Sequence, residues 1–382
     1  MNGGQDFRRR MPEAHADLRR KAGLLQTLHI DLPLLILILL LTAFGLIVLY
    51  SAGGSEFHYV KRQSVFFAVG YIGIFIVAQI PLGMMQRWAP WVYAGGVILL
   101  ILVLLVGTGA KGAQRWLGLG GFRFQPSEIL KLAVPVLLAS YLSRRLLPPS
   151  FKHIFFALIL VGVPMVLILK QPDLGTSLLV AQSGLVVLFF AGLGWRYIVT
   201  AVALVASAIY PMWHYVMHPY QKQRVLTLLN PEADKLGAGW NIIQSKTAIG
   251  SGGLNGKGWL EGTQSHLDFL PESHTDFIIA VLAEEFGLIG VIVLMLLYAS
   301  IIVRGFMIAL KAQDSFGRLL AGALTFTLFV YVFVNMGMVS GLLPIVGVPL
   351  PLVSHGGTSL LTLMASFGVL MAVSTERRRV IL

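Results

Sequence analysis

An acidic turn runs directly into an apolar stretch at Leu270–Gly290, LPESHTDFIIAVLAEEFGLIG. Glu272, His274, Thr275 and Asp276 precede the stretch, and Glu284 and Glu285 lie inside it. The apolar run is long enough to cross a bilayer. An ionised carboxylate at bilayer depth costs roughly 2.5–3.5 kcal/mol on insertion scales, so such groups face a protein interior or a wet cavity. Asp276 at the mouth of such a cavity suits chemistry at a membrane surface, as a base that takes a proton from a hydroxyl. Glu284 and Glu285 are candidates for structural or cavity-lining positions.

Three further polar motifs carry candidate site residues. In KGAQRWLGLGGFRFQPSEILK, Lys111 to Lys131, Pro126 fits the first turn of a helix. Glu128 and Lys131 lie three apart, so they share a helix face and can pair. Lys131 then sits about 8 Å into a span at the helical rise. The pair is either purely structural or substrate-facing. Arg115 and Trp116 precede it in a loop, where tryptophan also serves as an interface anchor. In KQPDLGT, Lys170 to Thr176, Asp173 can cap the following helix. QSKTAIGSGGLNGKG, Gln244 to Gly258, matches no phosphate-loop pattern. Its glycines still permit close backbone approach to a ligand, with Lys246 and Lys257 supplying charge.

The fourth motif combines Asn335 with GLLPIVGVPLPLVSHGGTS from Gly341, which includes Ser354. Its prolines and glycines break the helical pattern at depth. Broken backbone is tolerated inside a membrane only where protein or a watery cavity satisfies it. A re-entrant cavity-lining element and a kinked packing element both fit.

These motifs need a membrane frame. Of the 382 residues, 56% are hydrophobic and 12% charged, against about 25% charged in an average soluble domain. The chain reads as an all-α polytopic membrane protein with ten spans, near Leu32–Ser51, Ser64–Leu82, Ala89–Gly107, Pro126–Leu146, His153–Leu169, Leu174–Leu193, Tyr197–Trp213, Asp276–Val303, Leu319–Leu342 and Leu350–Ser374. A basic tail (1–30) precedes a single integral-membrane domain (31–376), and a basic end (377–382) follows it. Cysteine is absent, which excludes disulfides and thiol chemistry. The arginine-rich start lacks a short apolar core with a cleavage site, so the first span is expected to be the uncleaved targeting segment. Basic clusters at Arg8–Arg10, Arg144–Arg145 and Arg377–Arg379 put both termini in the cytoplasm. The long loop 214–275 then lies outside, although it carries Lys222, Arg224, Lys235, Lys246 and Lys257. Such a loop can receive an anionic ligand at head-group level, or it can simply be solvated. Basic residues scattered over both membrane faces argue against nucleic acid. The cytoplasmic clusters suit anionic membrane lipids.

FQPSEILK, KQPDLGT, AIGSGGLNGKG, LPESHTDFIIAVLAEEFG and GLLPIVGVPLPLVSHGGTS, in this order over nearly the whole chain, resemble the SEDS family (shape, elongation, division and sporulation). GVPLPLVS and the short tail are most similar to its elongation member. His355 departs from the family, which usually carries tyrosine there. The resemblance implies a peptidoglycan glycosyltransferase of the bacterial inner membrane that polymerises lipid II on the outer face during cell elongation. It also implies Asp276 as the catalytic residue. The implied partners are a class B penicillin-binding protein and other rod-elongation proteins.

The residues fit that chemistry. An acceptor hydroxyl attacks an anomeric carbon and expels undecaprenyl pyrophosphate, so a base is needed at the hydroxyl and cations at the leaving group. Asp276 is the candidate base. Arg115, Lys131, Arg224, Lys246 and Lys257 are candidate cations, with Trp116, Glu128 and His274 as further substrate contacts. A bound divalent metal such as Mg or Mn is an additional candidate. Rival readings are a lipid II flippase and a non-catalytic scaffold for a transpeptidase.

Overall fold

The computed structural model describes residues 28–110, 113–119, 122–217, 219–234, 237–266 and 273–376. The basic tail to residue 27, the basic end from 377, Lys111, Lys235 and Glu272 lie outside the described residues. The chain is an all-α membrane protein, and each expected span has a helix: α1 (Leu32–Ala52), α2 (Phe57–Ala78), α3 (Leu82–Val106), α4 (Pro126–Ser143), α5 (Phe151–Leu169), α6 (Leu174–Phe190), α7 (Trp195–Pro211), α11 (Ile278–Lys311), α12 (Ser315–Val339) and α13 (Thr358–Thr375). Among the described residues, eight helices are long and apolar enough to cross a membrane. Loop 214–275 is itself partly helical, with α8 (Pro219–Leu229), α9 (Ala238–Gly252) and the short α10 (Thr263–His266).

The first span shows how sequence becomes packing. Asp31 caps α1 by accepting from the Leu34 N–H at 3.1 Å. Leu34, Ile38, Leu41, Gly45, Val48 and Leu49 are buried, at the three- and four-residue spacing of one helix face. Its other faces expose Ile36, Leu39, Leu40 and Ile47, apolar side chains suited to lipid. Small residues let the helices close on one another. A β-carbon at Gly70 of α2 would meet Met364 of α13 at 2.8 Å, and one at Gly184 of α6 would meet Val161 of α5 at 2.5 Å. α12 has most of its length buried, whereas α7 buries no residue.

Two expectations change. Residues 108–124, read as a loop, form a small antiparallel sheet of β1 (Thr108–Ala110), β2 (Ala113–Leu119) and β3 (Phe122–Phe124). Its register pairs Leu117 with Phe124. Short strands beside glycines read as coil by pattern, but pairing satisfies their backbone groups. The last span starts at Thr358 rather than Leu350, because Pro349 and Pro351 cannot donate to a helix. Residues 340–357 cross the interior as irregular chain with positive φ at Gly341, Gly347 and Leu352.

The glycine-rich stretch also departs from expectation. Gln244–Gly252 is helix, and the following glycines approach protein instead of a ligand. α11 breaks at Gly287, whose φ of 63° and ψ of −160° are non-helical. The break exposes main-chain groups, and residues 253–258 answer them. Lys257 N–H donates to Glu284 O at 3.0 Å, Gly258 N–H to Glu285 O at 3.1 Å, and Leu288 N–H to Gly253 O at 3.0 Å. A β-carbon at Gly287 would lie 2.3 Å from Gly256 N. Gly287→Ala is therefore expected to destabilise the protein by at least about 2 kcal/mol through strain and clash together. A thermal melt in detergent that matches wild type would refute this account.

Candidate functional site

A cavity of about 920 Å³ opens where α2, β2, α4, α12, α13 and the irregular segment meet. Its wall includes Asp276, Thr275, Arg115, Trp116, Glu128, Lys131, Asp173, Ser354 and His355. Four of the motifs singled out by sequence, scattered along the chain, thus supply one surface.

Asp276 sits in the turn 273–277 that leads into α11. Buried side chains grip the main chain around it. Asn335 of α12, fully buried, donates its amide to Asp276 O at 2.9 Å and to Val348 O at 2.7 Å. Ser354 donates its hydroxyl to Thr275 O and accepts from the Leu350 N–H. His355 N–H donates to His274 O at 2.9 Å. Gln63 of α2, also fully buried, anchors the far side of this segment: its amide donates to Ser354 O and accepts from Gly356 N–H, each at 3.2 Å. At Gly347, φ is +78° and a β-carbon would stand 3.6 Å from Asp276 Oδ2. The segment therefore lines the cavity and also holds the carboxylate-bearing turn.

The same cavity wall carries two ion pairs. Lys131 Nζ donates to Glu128 Oε1 at 2.7 Å and stands 5.6 Å from the Tyr331 ring centroid. This is the i, i+3 pair expected from spacing, buried by its surroundings. Asp173 accepts from Thr176 N–H at 3.2 Å, so it does cap α6. Its other oxygen accepts from Thr176 Oγ1 at 2.9 Å and lies 3.4 Å from Arg115 Nε. Asp173 is thus both cap and cavity wall.

The other predicted residues are placed elsewhere. Glu284 is fully buried, bound by Lys257 Nζ at 2.6 Å and by the N–H groups of Thr263 at 2.8 Å and Gln264 at 3.2 Å. Glu285 accepts from the Ser51 hydroxyl. Both acids fix loop and helix, and neither they nor Lys257 lines the cavity. Arg224 on α8 and Lys246 on α9 are also absent from its wall. Lys246 instead packs beside Gly341. His274 stands behind the wall, its ring 4.8 Å from Tyr59 and 6.0 Å from His355 between centroids.

Sequence reading missed Arg62, Phe66, Gln63 and Tyr331. The signal for Arg62 was a cation in HYVKRQSVFF; placing the span at Ser64 left it outside, whereas α2 begins at Phe57. Among the described residues, no three His, Asp or Glu side chains converge as a metal site. Glu128 and Asp173 are each committed to a cation. This donor set does not suit a divalent ion held by the protein, which takes several clustered oxygens.

Residues 31–379 match the family model for FtsW, RodA and SpoVE, described as a cell cycle protein. The peptidoglycan glycosyltransferase MrdB of Escherichia coli is 55% identical over 350 residues, covering 92% of this chain and 95% of its own length. The probable peptidoglycan glycosyltransferase FtsW of Geobacter metallireducens is 38% identical over 375 residues, covering 95% and 99%. A chain from a solved peptidoglycan synthase complex, described as coordinating polymerization and crosslinking, superposes with a TM-score of 0.81 at 32% identity, covering 91% and 98%. The rod shape determining protein RodA of Thermus thermophilus gives 0.69 at 29% identity, covering 91% and 98%.

Two outcomes follow from the wall. Removing one partner of a buried pair leaves a stranded charge and costs about 3–5 kcal/mol. Glu128→Gln and Lys131→Met are each expected to lower thermal stability and activity, while the double variant loses less than the sum, with coupling above about 1 kcal/mol. Additive losses would mean that the pair does not act as one. At the rim, burial, followed by the charges of Arg62, His274 and His58, holds the His355 imidazole down to about 4 from its usual 6.5. A depressed histidine stabilises the fold above its unfolded pKa and loses that contribution as pH falls through the folded value. Melting temperature is expected to drop between pH 6.5 and about 4, and His355→Tyr to flatten that drop. Identical pH profiles for the two proteins would overturn the assignment.

Proposed function

The chain belongs to the FtsW, RodA and SpoVE family, and we propose that this peptidoglycan glycosyltransferase joins lipid-linked sugars in the cavity with Asp276 as general base. The observation that carries the reading is the shared wall: one carboxylate on a firmly held turn faces the same space as Arg115 and Lys131. Lipid II, a disaccharide-peptide on undecaprenyl pyrophosphate, supplies both donor and acceptor. An acceptor hydroxyl oxygen attacks the donor's anomeric carbon, and its proton passes to the Asp276 carboxylate. The bond from that carbon to the pyrophosphate oxygen breaks, and the leaving group departs with the electron pair. Its growing charge is met by the cations of the cavity wall. Phe66, Leu324 and Leu328 on the wall offer apolar contact to the lipid.

The membrane setting supports an outward-facing site. Both termini in the cytoplasm put the basic clusters inside, and the turn bearing Asp276 then follows an extracytoplasmic loop. The expected partners are a class B penicillin-binding protein, which cross-links the strands, and further rod-elongation proteins. The neighbour from a peptidoglycan synthase complex, described as coordinating polymerization with crosslinking, supports such a pairing.

The decisive experiment uses purified protein in liposomes with labelled lipid II. Wild type is expected to make glycan chains, and Asp276→Asn to lose about a hundredfold or more of the rate with its melting temperature retained. Near-normal polymer from the folded variant would remove Asp276 as the base. Translocation without polymer from wild type would mean a flippase, and neither activity would mean a scaffold.

A further inference from the structure

Three described cations, Arg62, Arg115 and Lys131, line the cavity, and two are already answered by carboxylates. Glu128 holds Lys131 at 2.7 Å, and Asp173 lies 3.4 Å from Arg115. Arg62 is different. Among the described residues it has no ion-pair partner, and its guanidinium carbon stands 5.9 Å from the Phe66 ring centroid. The charge of Arg62 reaches His355, together with those of His274 and His58. The His355 Nε2 atom is buried there without a hydrogen-bond partner.

An anion entering the cavity can bind Lys131 or Arg115 only by competing with a carboxylate already in place. At Arg62, which is exposed, it meets a charge that no described carboxylate pairs. The guanidinium fork gives two parallel hydrogen bonds to phosphate oxygens, which an ammonium cannot. Next to it, Gly357, Thr358 and Ser359 open α13 on the same wall. That helix start has no side-chain cap and no acid in its first turn, so its N–H groups add to a field that favours negative charge.

We propose that Arg62 is the residue that binds the pyrophosphate of the lipid-linked donor, with the open start of α13 beside it. The proposal rests on the cavity being the polymerising site and assigns its two roles. Asp276 handles the acceptor's proton, and Arg62 holds the leaving group. Charge grows on the pyrophosphate oxygen as its bond to the anomeric carbon breaks, so Arg62 acts on turnover as well as on binding. Phe66, on the next turn of α2, keeps the guanidinium against an aromatic face.

The test separates binding from turnover. Labelled lipid II is bound to full-length Asp276→Asn protein in detergent and displaced by undecaprenyl pyrophosphate or by undecaprenol. Adding Arg62→Gln is expected to weaken displacement by the pyrophosphate about tenfold or more, as loss of a charged hydrogen-bond donor does. Displacement by undecaprenol should not change. Arg62→Lys should fall between, because it keeps charge and loses the fork. In the otherwise wild-type protein, Arg62→Gln should lower kcat as well as raise KM for lipid II. Equal displacement by the pyrophosphate with and without Arg62→Gln, in proteins of matching melting temperature, would overturn the proposal. If Arg62→Gln does not fold, Arg62→Lys decides: wild-type pyrophosphate affinity and wild-type kcat in that variant reject the fork. Should Asp276→Asn polymerise normally, the base assignment fails, while the displacement comparison still reads Arg62.

Discussion

A polar group inside this molecule must find a partner there, because lipid offers none. That constraint shapes the molecule wherever its chain is not simple helix. α11 breaks at Gly287, and the groups released by the break bind the main chain of residues 253–258. The buried Glu284 gathers Lys257, Thr263 and Gln264 onto the same place. The irregular segment 340–357 is answered by Asn335, Ser354 and Gln63. Each exception to helical regularity is thus tied to another element. The ties run from loop 214–275 to α11, and from α2 and α12 to the segment beside the turn that bears Asp276.

The same constraint sorts the charges. Lys131 and Glu128, Arg115 and Asp173, Lys257 and Glu284, and Arg304 and Asp31 are all paired. Pairing of this kind fixes geometry, since a buried ion pair adds little net stability yet costs much when half of it is lost. It also makes an unpaired cation in a cavity informative. A substrate with a charged leaving group needs charge that is not already spent, and a site built only from satisfied pairs would offer little. The contrast between Arg62 and its two neighbours is a division between structure and binding.

What was legible in the sequence was what local spacing encodes. The helices followed from runs of apolar residues, Glu128 and Lys131 from their separation of one turn, and the Asp173 cap from its place before a helix. Partners distant in sequence were not legible. Nothing near Glu284 announces Lys257, and nothing near Asp276 announces Asn335, since folding alone brings them together. The glycines at 252, 256 and 258 did signal close approach, but to the carbonyls of α11 rather than to a phosphate. Arg62 was hidden by a boundary error, because apolarity marks the middle of a span better than its polar first turns. The sheet at 108–124 escaped because its strands are short and its glycines read as coil.

The holding of the turn that carries Asp276, the proposed base, bears on how a base can work in such a place. Asn335, Ser354 and the His355 N–H all bind main-chain carbonyls, those of Asp276, Thr275 and His274. These bonds are indifferent to the charge of the carboxylate. A base must gain a proton and lose it again in every cycle, and a frame built on the carboxylate would loosen each time it was neutralised. Here the frame is built on the backbone and carried by buried neutral side chains. On the proposed reading, the charge of the leaving group is met by the cations of the same cavity wall. A turn held through its backbone and a wall that carries cations together serve, on that reading, proton transfer and leaving-group departure.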